Sequence, residues 1–213
     1  EGAIGALNKA VKLKPDNSKA WFSTGRILAK IKRHEEAIEA YDRATEISPD
    51  YHQAWVDRGV ALGILSQHQE AFQSFDRAVE VKVDDEIAWM NRGMALAMLE
   101  RYQDAITSFD RTIELNPQSY KAWNYRGDSL IQLKKYPDAI ASFDKAIELK
   151  SDYAIAYYNK AICYALETSI ESTIENLQKA INLDAKYRKQ ASIDPDFDAI
   201  ASDDRFWSLI ESK

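Results

Sequence analysis

Three histidines and one cysteine are the side chains of this chain best suited to metal binding or catalysis. They are His34, His52, His68 and Cys163. Imidazole and thiolate groups hold Zn²⁺ when they recur about four residues apart on a helix, and no two of these residues have that spacing. His34 and His68 are separated by 34 residues, and the next two places in that series hold tyrosines. The series indicates that both histidines have an aromatic packing role rather than a catalytic one.

The single cysteine is predicted to be a structural thiol. Cys163 stands between Ile162 and Tyr164 in a segment with helical periodicity. Burial among apolar side chains disfavours the thiolate that a nucleophile or a metal ligand requires. The chain also lacks a glycine-rich phosphate loop, because four of its seven glycines belong to the repeat described below.

A run of alternating aspartates near the C-terminus has the ligand type that calcium prefers. It consists of Asp194, Asp196 and Asp198. The glycine and the distal glutamate of an EF-hand loop are missing, and Pro195 interrupts the run, so turn and capping roles are expected. We therefore expect no catalytic residue, no metal site and no cofactor, and we expect that the protein is not an enzyme.

The elements that could position a site follow a repeat of 34 residues. Its markers are Trp21, Trp55, Trp89 and Trp123, with Tyr157 at the next place. A glycine follows each tryptophan by four residues, at Gly25, Gly59, Gly93 and Gly127, and Ala161 takes that place in the fifth copy. A fixed period of this length is typical of stacked supersecondary units that bury their core between neighbours.

Each copy contains two amphipathic helical runs joined by a short polar link. In the third copy the link is Glu100-Arg101, which is long enough only for an antiparallel helix pair. No segment alternates as a strand would, so the chain is predicted to be all-α. The recurring glycines fall inside helices, where each costs about 0.5–1 kcal/mol relative to alanine. That cost predicts close approach of a neighbouring helix backbone, with aromatic residues filling the gaps beside it.

The pattern W-x-x-x-G-x-x-L, followed by A-x-x-x-[YF]-x-x-A and then P, resembles the tetratricopeptide repeat. Four good copies cover residues 18–153. The resemblance implies an all-α fold, a right-handed α-solenoid of antiparallel helix pairs known as the tetratricopeptide superhelix. The last residues resemble the tails of bacterial members of this family. One departure is that the leucine usual before the glycine is replaced, by Thr24, Arg58, Arg92 and Arg126.

The period also predicts how the chain divides. Residues 1–17 would form the second helix of a truncated preceding repeat, 18–51, 52–85, 86–119 and 120–153 repeats one to four, 154–187 a degenerate fifth repeat, and 188–213 C-terminal capping helices. Ser202 is the expected N-cap of the last helix. The first helix would expose an apolar face without a cap, so we expect that the chain was cut from a longer array.

Oppositely charged residues recur sixteen positions apart and predict ion pairs between adjacent repeats. The pairs are Asp42 with Arg58, Asp76 with Arg92, Asp110 with Arg126, and Asp144 with Lys160. The alternative is two independent solvated faces. Exposed pairs contribute only about 0–1 kcal/mol, so setting the register between repeats is a better role for them than stability.

The bulk properties exclude several classes of partner. The net charge is −6, which argues against binding to nucleic acid or to an anionic membrane surface. No apolar run reaches the roughly 18 residues of a membrane-spanning helix. A single cysteine rules out an internal disulfide, and a cytoplasmic location is the default expectation. The chain starts at Glu1, so a targeting segment could have been removed.

The family resemblance implies that the first helix of each repeat lines a concave groove for a peptide or protein partner. Carried onto this sequence, the partner-binding positions are Phe22, Arg26, Lys30, Val56, Val60, Ile64, Met90, Asn91, Met94, Met98, Asn124, Tyr125, Asp128, Tyr158, Asn159 and Ile162. The groove lacks the lysine and asparagine pattern with which some family members bind chaperone C-termini, so no such clamp is expected.

All three methionines of the chain fall on one face of one predicted helix. Methionine is adaptable and is common at surfaces that accept varied apolar partners. The other interpretation is that these side chains pack between adjacent first helices. Arg26 and Lys30 lie at the start of the groove, which predicts a partner segment with an apolar middle and an acidic end, unless they form only a solvated basic edge.

The sequence therefore predicts a non-catalytic scaffold that binds a protein or peptide in its groove. Two alternatives stay open at this point. The chain could be a regulatory or assembly domain of a larger multidomain protein, or it could self-associate through its uncapped start.

Overall fold

The computed structural model describes residues 13–211, so the helix predicted over 1–17 lies mostly outside the described residues. The regular elements of this range are α1 (Ser18–Lys30), α2 (His34–Ile47), α3 (His52–Ile64), α4 (His68–Val81), α5 (Glu86–Met98), α6 (Tyr102–Leu115), α7 (Tyr120–Gln132), α8 (Tyr136–Leu149), α9 (Ala154–Leu166), α10 (Ile170–Leu183), α11 (Lys186–Ala191), a 3₁₀ helix (Pro195–Ile200) and α12 (Asp204–Glu211). They include no strand, as predicted.

Within residues 13–211 the chain forms two compact units, unit 1 up to residue 115 and unit 2 from residue 116. In unit 1, helices α1 to α6 pack as three consecutive pairs, and each pair also contacts the next. In unit 2, α7 to α10 pack as two pairs, and the 3₁₀ helix and α12 pack against the second of them. No helix within residues 13–211 is both long and apolar enough to cross a membrane.

Each pair turns through a three-residue link whose middle residue has a left-handed backbone. These residues are Lys32, Ser66, Glu100, Lys134 and Thr168, with φ between 57° and 64°. The amide after Ser66 donates to the carbonyl oxygen of Leu62 at 2.9 Å, which closes a Schellman turn. A left-handed residue cannot continue the helix, so the chain reverses at the same place in every pair.

The repeated glycines make room for an aromatic ring of the partner helix. A Cβ atom built on Gly59 would lie 2.6 Å from the Phe75 ring, and one on Gly25 would lie 2.5 Å from the Tyr41 ring. The prediction that aromatic residues fill the gaps beside the glycines is therefore confirmed, and the atoms nearest each of these glycines belong to the rings and not to a neighbouring helix backbone. In the fifth copy Ala161 replaces glycine and the buried Leu177 stands at the place of the ring.

The repeated tryptophans hydrogen-bond the first helix of a pair to the loop that precedes it. Trp55 Nε1 donates to the carbonyl oxygen of Pro49 at 2.8 Å, and Trp89 Nε1 donates to that of Val83 at the same distance. The indole rings are only partly buried, so the polar edge is satisfied while the ring covers apolar residues. Proline is not needed for this contact, because the accepting group is a backbone carbonyl.

The ion-pair ladder is confirmed for the pairs that lie within one unit. Arg58 Nε is 2.5 Å from Asp42 Oδ1, Arg92 Nε is 2.7 Å from Asp76 Oδ1, and Lys160 Nζ is 2.6 Å from Asp144 Oδ1. Each arginine also donates to a buried serine on the helix that completes its own pair. These bonds join Arg58 Nη1 to Ser74 Oγ at 2.6 Å and Arg92 Nη1 to Ser108 Oγ at 2.7 Å. The planar guanidinium thus links three helices, which an ammonium cannot do as rigidly.

The last elements of unit 2 cover its second helix pair. Tyr158 of α9 stacks on Tyr187 at 4.7 Å between ring centroids and meets Phe197 edge-on at 5.7 Å. Its hydroxyl donates to Asp194 Oδ2 at 2.6 Å. The residue that caps α12 is Asp203, which accepts from the amide of Arg205 at 2.9 Å, so the prediction of Ser202 was one residue early.

Candidate functional site

The groups best suited to catalysis do not converge in the structure. His34 and His68 are half-buried at the starts of α2 and α4, and His52 is buried with Nε2 at 2.9 Å from Asp85 Oδ2. Cys163 is buried, as predicted, and burial raises the pKa of its thiol to about 12, which keeps it protonated. Residues 13–211 contain no group of three or more histidine, cysteine or acidic side chains placed to hold a metal ion.

Among the alternating aspartates, Asp194 has the capping role that was predicted. Asp194 Oδ1 accepts from the amide of Asp196 at 3.1 Å at the start of the 3₁₀ helix, while its other oxygen accepts from Tyr158. Burial raises the pKa of Asp196, and the neighbouring charge of Asp194 adds to that effect. The carboxylate of Asp194 therefore joins the start of the 3₁₀ helix to Tyr158 within unit 2.

In unit 1 the first helices α1, α3 and α5 lie side by side, and α3 and α5 expose a row of apolar side chains. Four of the predicted groove residues form it, with exposed fractions of 42% for Val60, 58% for Ile64, 38% for Met94 and 62% for Met98. Isolated exposed apolar residues are ordinary on a protein surface, but a contiguous group marks an interaction site. We call these four residues the apolar row.

The apolar row borders a recess of about 370 Å³ between α3 and α5, which we call the apolar recess. Its wall also includes Gly59, Gly63, His68, Ala71, Phe75, Asn91 and Ala95. A Cβ atom built on Gly63 would meet no atom within 4 Å, so the glycine opens the recess instead of accommodating a ring. The volume lies in the range of pockets that take small ligands or a few side chains.

A second recess of about 370 Å³ adjoins the first and has basic groups along one side. Arg26, Lys30, Asp57 and His34 line it, and it shares Val60 and Ile64 with the apolar recess. Arg26 Nε lies 3.9 Å from Asp57 Oδ2, at the limit of an ion pair, and its guanidinium lies 5.7 Å from the Phe22 ring centroid. Burial raises the pKa of Asp57, and Arg26 opposes that effect.

Another recess of unit 1, about 620 Å³, lies around Arg58, Asp42 and Ser74. The polar groups there bond to one another in the ion-pair ladder, with Arg58 held by both Asp42 and Ser74. Groups that are already paired offer little to a ligand. The recesses on the first helices are therefore the better candidate site.

The remaining predicted groove residues of unit 1 are less accessible. Phe22 packs on Tyr51 with ring centroids 4.8 Å apart, and Val56 packs against the buried core. Met90 and Asn91 are half-buried. The three methionines on one face of α5 therefore differ in exposure. Met94 and Met98 face solvent, while Met90 is partly covered by neighbouring residues.

In unit 2 several of the predicted groove residues lie in the interior. Tyr158, Ile162 and Asn124 are buried, so a partner would not contact their side chains without displacing what covers them. Tyr125, Asp128 and Asn159 are half-buried. Asp128 Oδ2 accepts from Asn124 Nδ2 at 3.1 Å and Oδ1 accepts from Asn159 Nδ2 at 2.5 Å. Asn124, Asp128 and Asn159 were all predicted to be groove residues, but the hydrogen bonds between them could not be predicted from the sequence.

Gly63 is one of the recess residues that were not predicted from the sequence. It stands four residues after Gly59 but does not belong to the 34-residue series, because alanine or isoleucine fills that place in the neighbouring copies. The available signal was a glycine inside a predicted helix that has no aromatic residue assigned to it by the repeat. His68 and Ala71 also line the recess, and the repeat pattern assigned both of them to helix packing.

Comparison with known proteins identifies the family. A family model described as Tetratricopeptide repeat matches residues 1–52, 56–120, 90–154 and 126–183. A search among curated protein sequences gave no match. Among solved structures, YrrB, titled a TPR protein with an unusual peptide-binding site, is 24% identical, with 88% of this chain and 97% of that chain covered and a TM-score of 0.76.

Two structures of MamA show the same fold. One is 21% identical over 78% of this chain and 96% of that chain, with a TM-score of 0.73. The other, from Desulfovibrio magneticus RS-1, is 16% identical over 83% and 97%, with a TM-score of 0.74. These likenesses confirm the predicted α-solenoid of antiparallel helix pairs. The match of the family model over most of the sequence shows that the chain belongs to the tetratricopeptide repeat family.

Proposed function

We propose that this protein is a non-catalytic interaction module that binds a segment of a partner protein along the first helices of unit 1. The observation that carries the proposal is the apolar row beside an open recess. Four apolar side chains stay exposed there although the chain has a large buried core in which to place such residues. Retaining them at the surface is explained if a partner covers them.

The residues that line the recesses support a particular chemistry for the proposed partner. An aliphatic or aromatic side chain of the partner would enter the apolar recess over Gly63, where the wall is largely apolar. An acidic side chain next to it would lie near Arg26 and Lys30, because Arg26 is only loosely paired, with its Nε 3.9 Å from Asp57 Oδ2. The expected partner segment is therefore an apolar anchor followed by acidic residues.

The proposal includes the repeat boundaries that are predicted from the sequence. Repeats would occupy 18–51, 52–85, 86–119, 120–153 and 154–187, and 188–213 would cap the array. The partner would then contact residues from the first three repeats. Phe22, Val56, Met90 and Asn91 would support the binding surface, while Arg26, Lys30, Val60, Ile64, Met94 and Met98 would contact the partner.

A selection from a phage-displayed library of random twelve-residue peptides tests the proposal. The wild-type chain should enrich peptides that carry a large apolar residue next to aspartate or glutamate. The double variant Val60→Glu, Met94→Glu should lose this enrichment, because it places charges at the mouth of the apolar recess. The variant Arg26→Glu, Lys30→Glu should keep the apolar preference and lose the acidic one.

The matched control is Val83→Glu. Val83 is 59% exposed, close to the 58% of Ile64, but it does not line either recess. This variant should select the same peptides as the wild-type chain. Enrichment that survives the Val60 and Met94 substitutions, or no enrichment on the wild-type chain, would contradict the proposal.

A further inference from the structure

The apolar recess of unit 1 lies between two helices that run side by side in the same direction. At their starts, His52 of α3 has Nε2 2.9 Å from Oδ2 of Asp85, the residue just before α5. At their ends, the last residues of the two helices, Ile64 and Met98, both line the recess. The recess is therefore part of a groove that follows the direction of both helices.

Side chains that form hydrogen bonds are scarce along this groove. Of the described residues that line the apolar recess, only His68 and Asn91 carry nitrogen or oxygen in their side chains. The helix backbones of the walls add little, because their amides and carbonyls bond within each helix. The last turn of α3 is used as well, since the carbonyl oxygen of Ala61 accepts from the amide of Leu65 at 3.3 Å.

This scarcity bears on the backbone conformation of a segment bound in the groove. An extended segment leaves its backbone N–H and C=O groups to be paired by the residues around it, and each group that is buried without a partner weakens binding. A helix pairs the same groups internally and presents side chains to its surroundings. A groove with two polar side chains in its lining therefore suits a helical segment better than an extended one.

Positive charge lies along one side of the groove. Arg26 and Lys30 are both exposed, and they are one turn apart on α1, which packs beside α3. They line the second recess, which shares Val60 and Ile64 with the apolar recess. A helix between α3 and α5 would thus have α1 on one flank. Acidic residues four positions apart on that flank would match the spacing of the two basic residues.

We propose that the partner segment binds to unit 1 as an amphipathic α-helix, with its apolar face in the groove between α3 and α5 and a stripe of acidic residues towards α1. The inference rests on the proposed function, because it gives the conformation and the charge pattern of the ligand for the same surface. A helix repeats its apolar residues every three or four positions, whereas an extended segment repeats them at every second position.

Two synthetic peptides of about fourteen residues and identical composition test the helical mode. In the first, leucines recur three and four residues apart and glutamates occupy one flank. In the second, the same residues are rearranged so that leucine alternates with polar residues. Fluorescence anisotropy should show that the wild-type chain binds the first peptide about tenfold more tightly or better, because its backbone needs no partner in the groove.

The two protein variants that test the proposed function also show where the first peptide binds. The variant Val60→Glu, Met94→Glu should lose the first peptide, because both substitutions place a charge beside its apolar face. The variant Val83→Glu should bind it as the wild-type chain does, since Val83 lies outside both recesses. Retention of the peptide by the first variant would show that the helix does not lie in the groove.

Proline substitutions in the first peptide separate helix formation from composition. At a solvent-facing position in the middle, proline should weaken binding by about tenfold or more, because it breaks a helix interior. At the first position, where a helix tolerates proline, it should change binding little. When the protein is added to the ¹³C-labelled first peptide, its ¹³Cα shifts should move to helical values.

The outcomes distinguish the helical mode from the proposed function. Equal affinity for the two peptides, equal effects of the two prolines, or bound ¹³Cα shifts that are not helical would overturn the helical mode. Enrichment in the phage selection together with no binding of the first peptide would overturn it too. The proposed function would survive these results, because it requires a peptide at the apolar row in no particular conformation. If no peptide binds, enriched or synthetic, the proposed function fails.

Discussion

At the scale of single residues, Asp128 is set apart by the cost of its burial. Its folded-state pKa of about 7 lies well above the value of about 3.9 for an unfolded aspartate. Between these two values the folded chain binds a proton that the unfolded chain does not. The free energy of unfolding therefore falls as the pH rises from about 4 to about 7, and it stays low above that range.

The variant Asp128→Asn should remove this pH dependence. Because one pKa unit corresponds to about 1.4 kcal/mol, we expect the variant to gain roughly 2–4 kcal/mol over the wild-type chain between pH 4.5 and pH 8. Urea unfolding at both pH values measures the difference. If the free energy of unfolding changes with pH by the same amount in both chains, Asp128 is not desolvated in the folded state.

A second residue-scale comparison sets two glycines of one helix against each other. Gly59→Ala would push a methyl group into the Phe75 ring, whereas Gly63→Ala would place one in open space. Overpacking costs about 1–3 kcal/mol, and replacing a helical glycine by alanine gains about 0.5–1 kcal/mol. Gly59→Ala should therefore destabilise the chain and Gly63→Ala should stabilise it.

Thermal or urea unfolding of the two variants checks this prediction. Both substitutions make the same chemical change in α3, one turn apart, so their intrinsic helix propensities cancel in the comparison. A stabilised Gly59→Ala variant would mean that the Phe75 ring moves aside at little cost. A destabilised Gly63→Ala variant would mean that the recess is closed in solution.

At the scale of helices, the period of 34 residues was enough to predict every pair from α1 to α10. The repeated glycines and tryptophans recur because each pair repeats the same contacts of an aromatic ring with a glycine and of an indole with a loop carbonyl.

The backbone conformation of the link residues could not be predicted in this way. Ser66 and Glu100 adopt a left-handed backbone without being glycine, and no repeated residue type marks their place.

The face of a helix could be predicted, but the extent to which neighbours cover it could not. Val56 and Val60 are one turn apart on α3, and both were predicted to bind a partner. Val56 packs against the core, whereas Val60 is 42% exposed. Helical periodicity fixes direction around the axis and carries no information about the width of the groove beside it.

At the scale of the whole molecule, the net charge of −6 conceals local surfaces of different chemistry. Unit 1 presents the apolar row with Arg26 and Lys30 beside it. Unit 2 presents a carboxylate held by two amides. A family of stacked helix pairs gains its binding specificity from such substitutions on a constant framework, since the contacts that build each pair leave the first-helix face free to vary.

The central claim is that the apolar row of unit 1 is a binding surface, and its methionines report on it directly. All three methionines of the chain lie in α5, so ¹³C-methyl labelling of methionine gives three signals. Adding a peptide enriched in the selection should shift the signals of Met94 and Met98 more than that of Met90. Gly63→Leu, which fills the recess, should abolish both the shifts and the binding. A peptide that binds while these signals stay in place, or that binds Gly63→Leu equally well, would contradict the account.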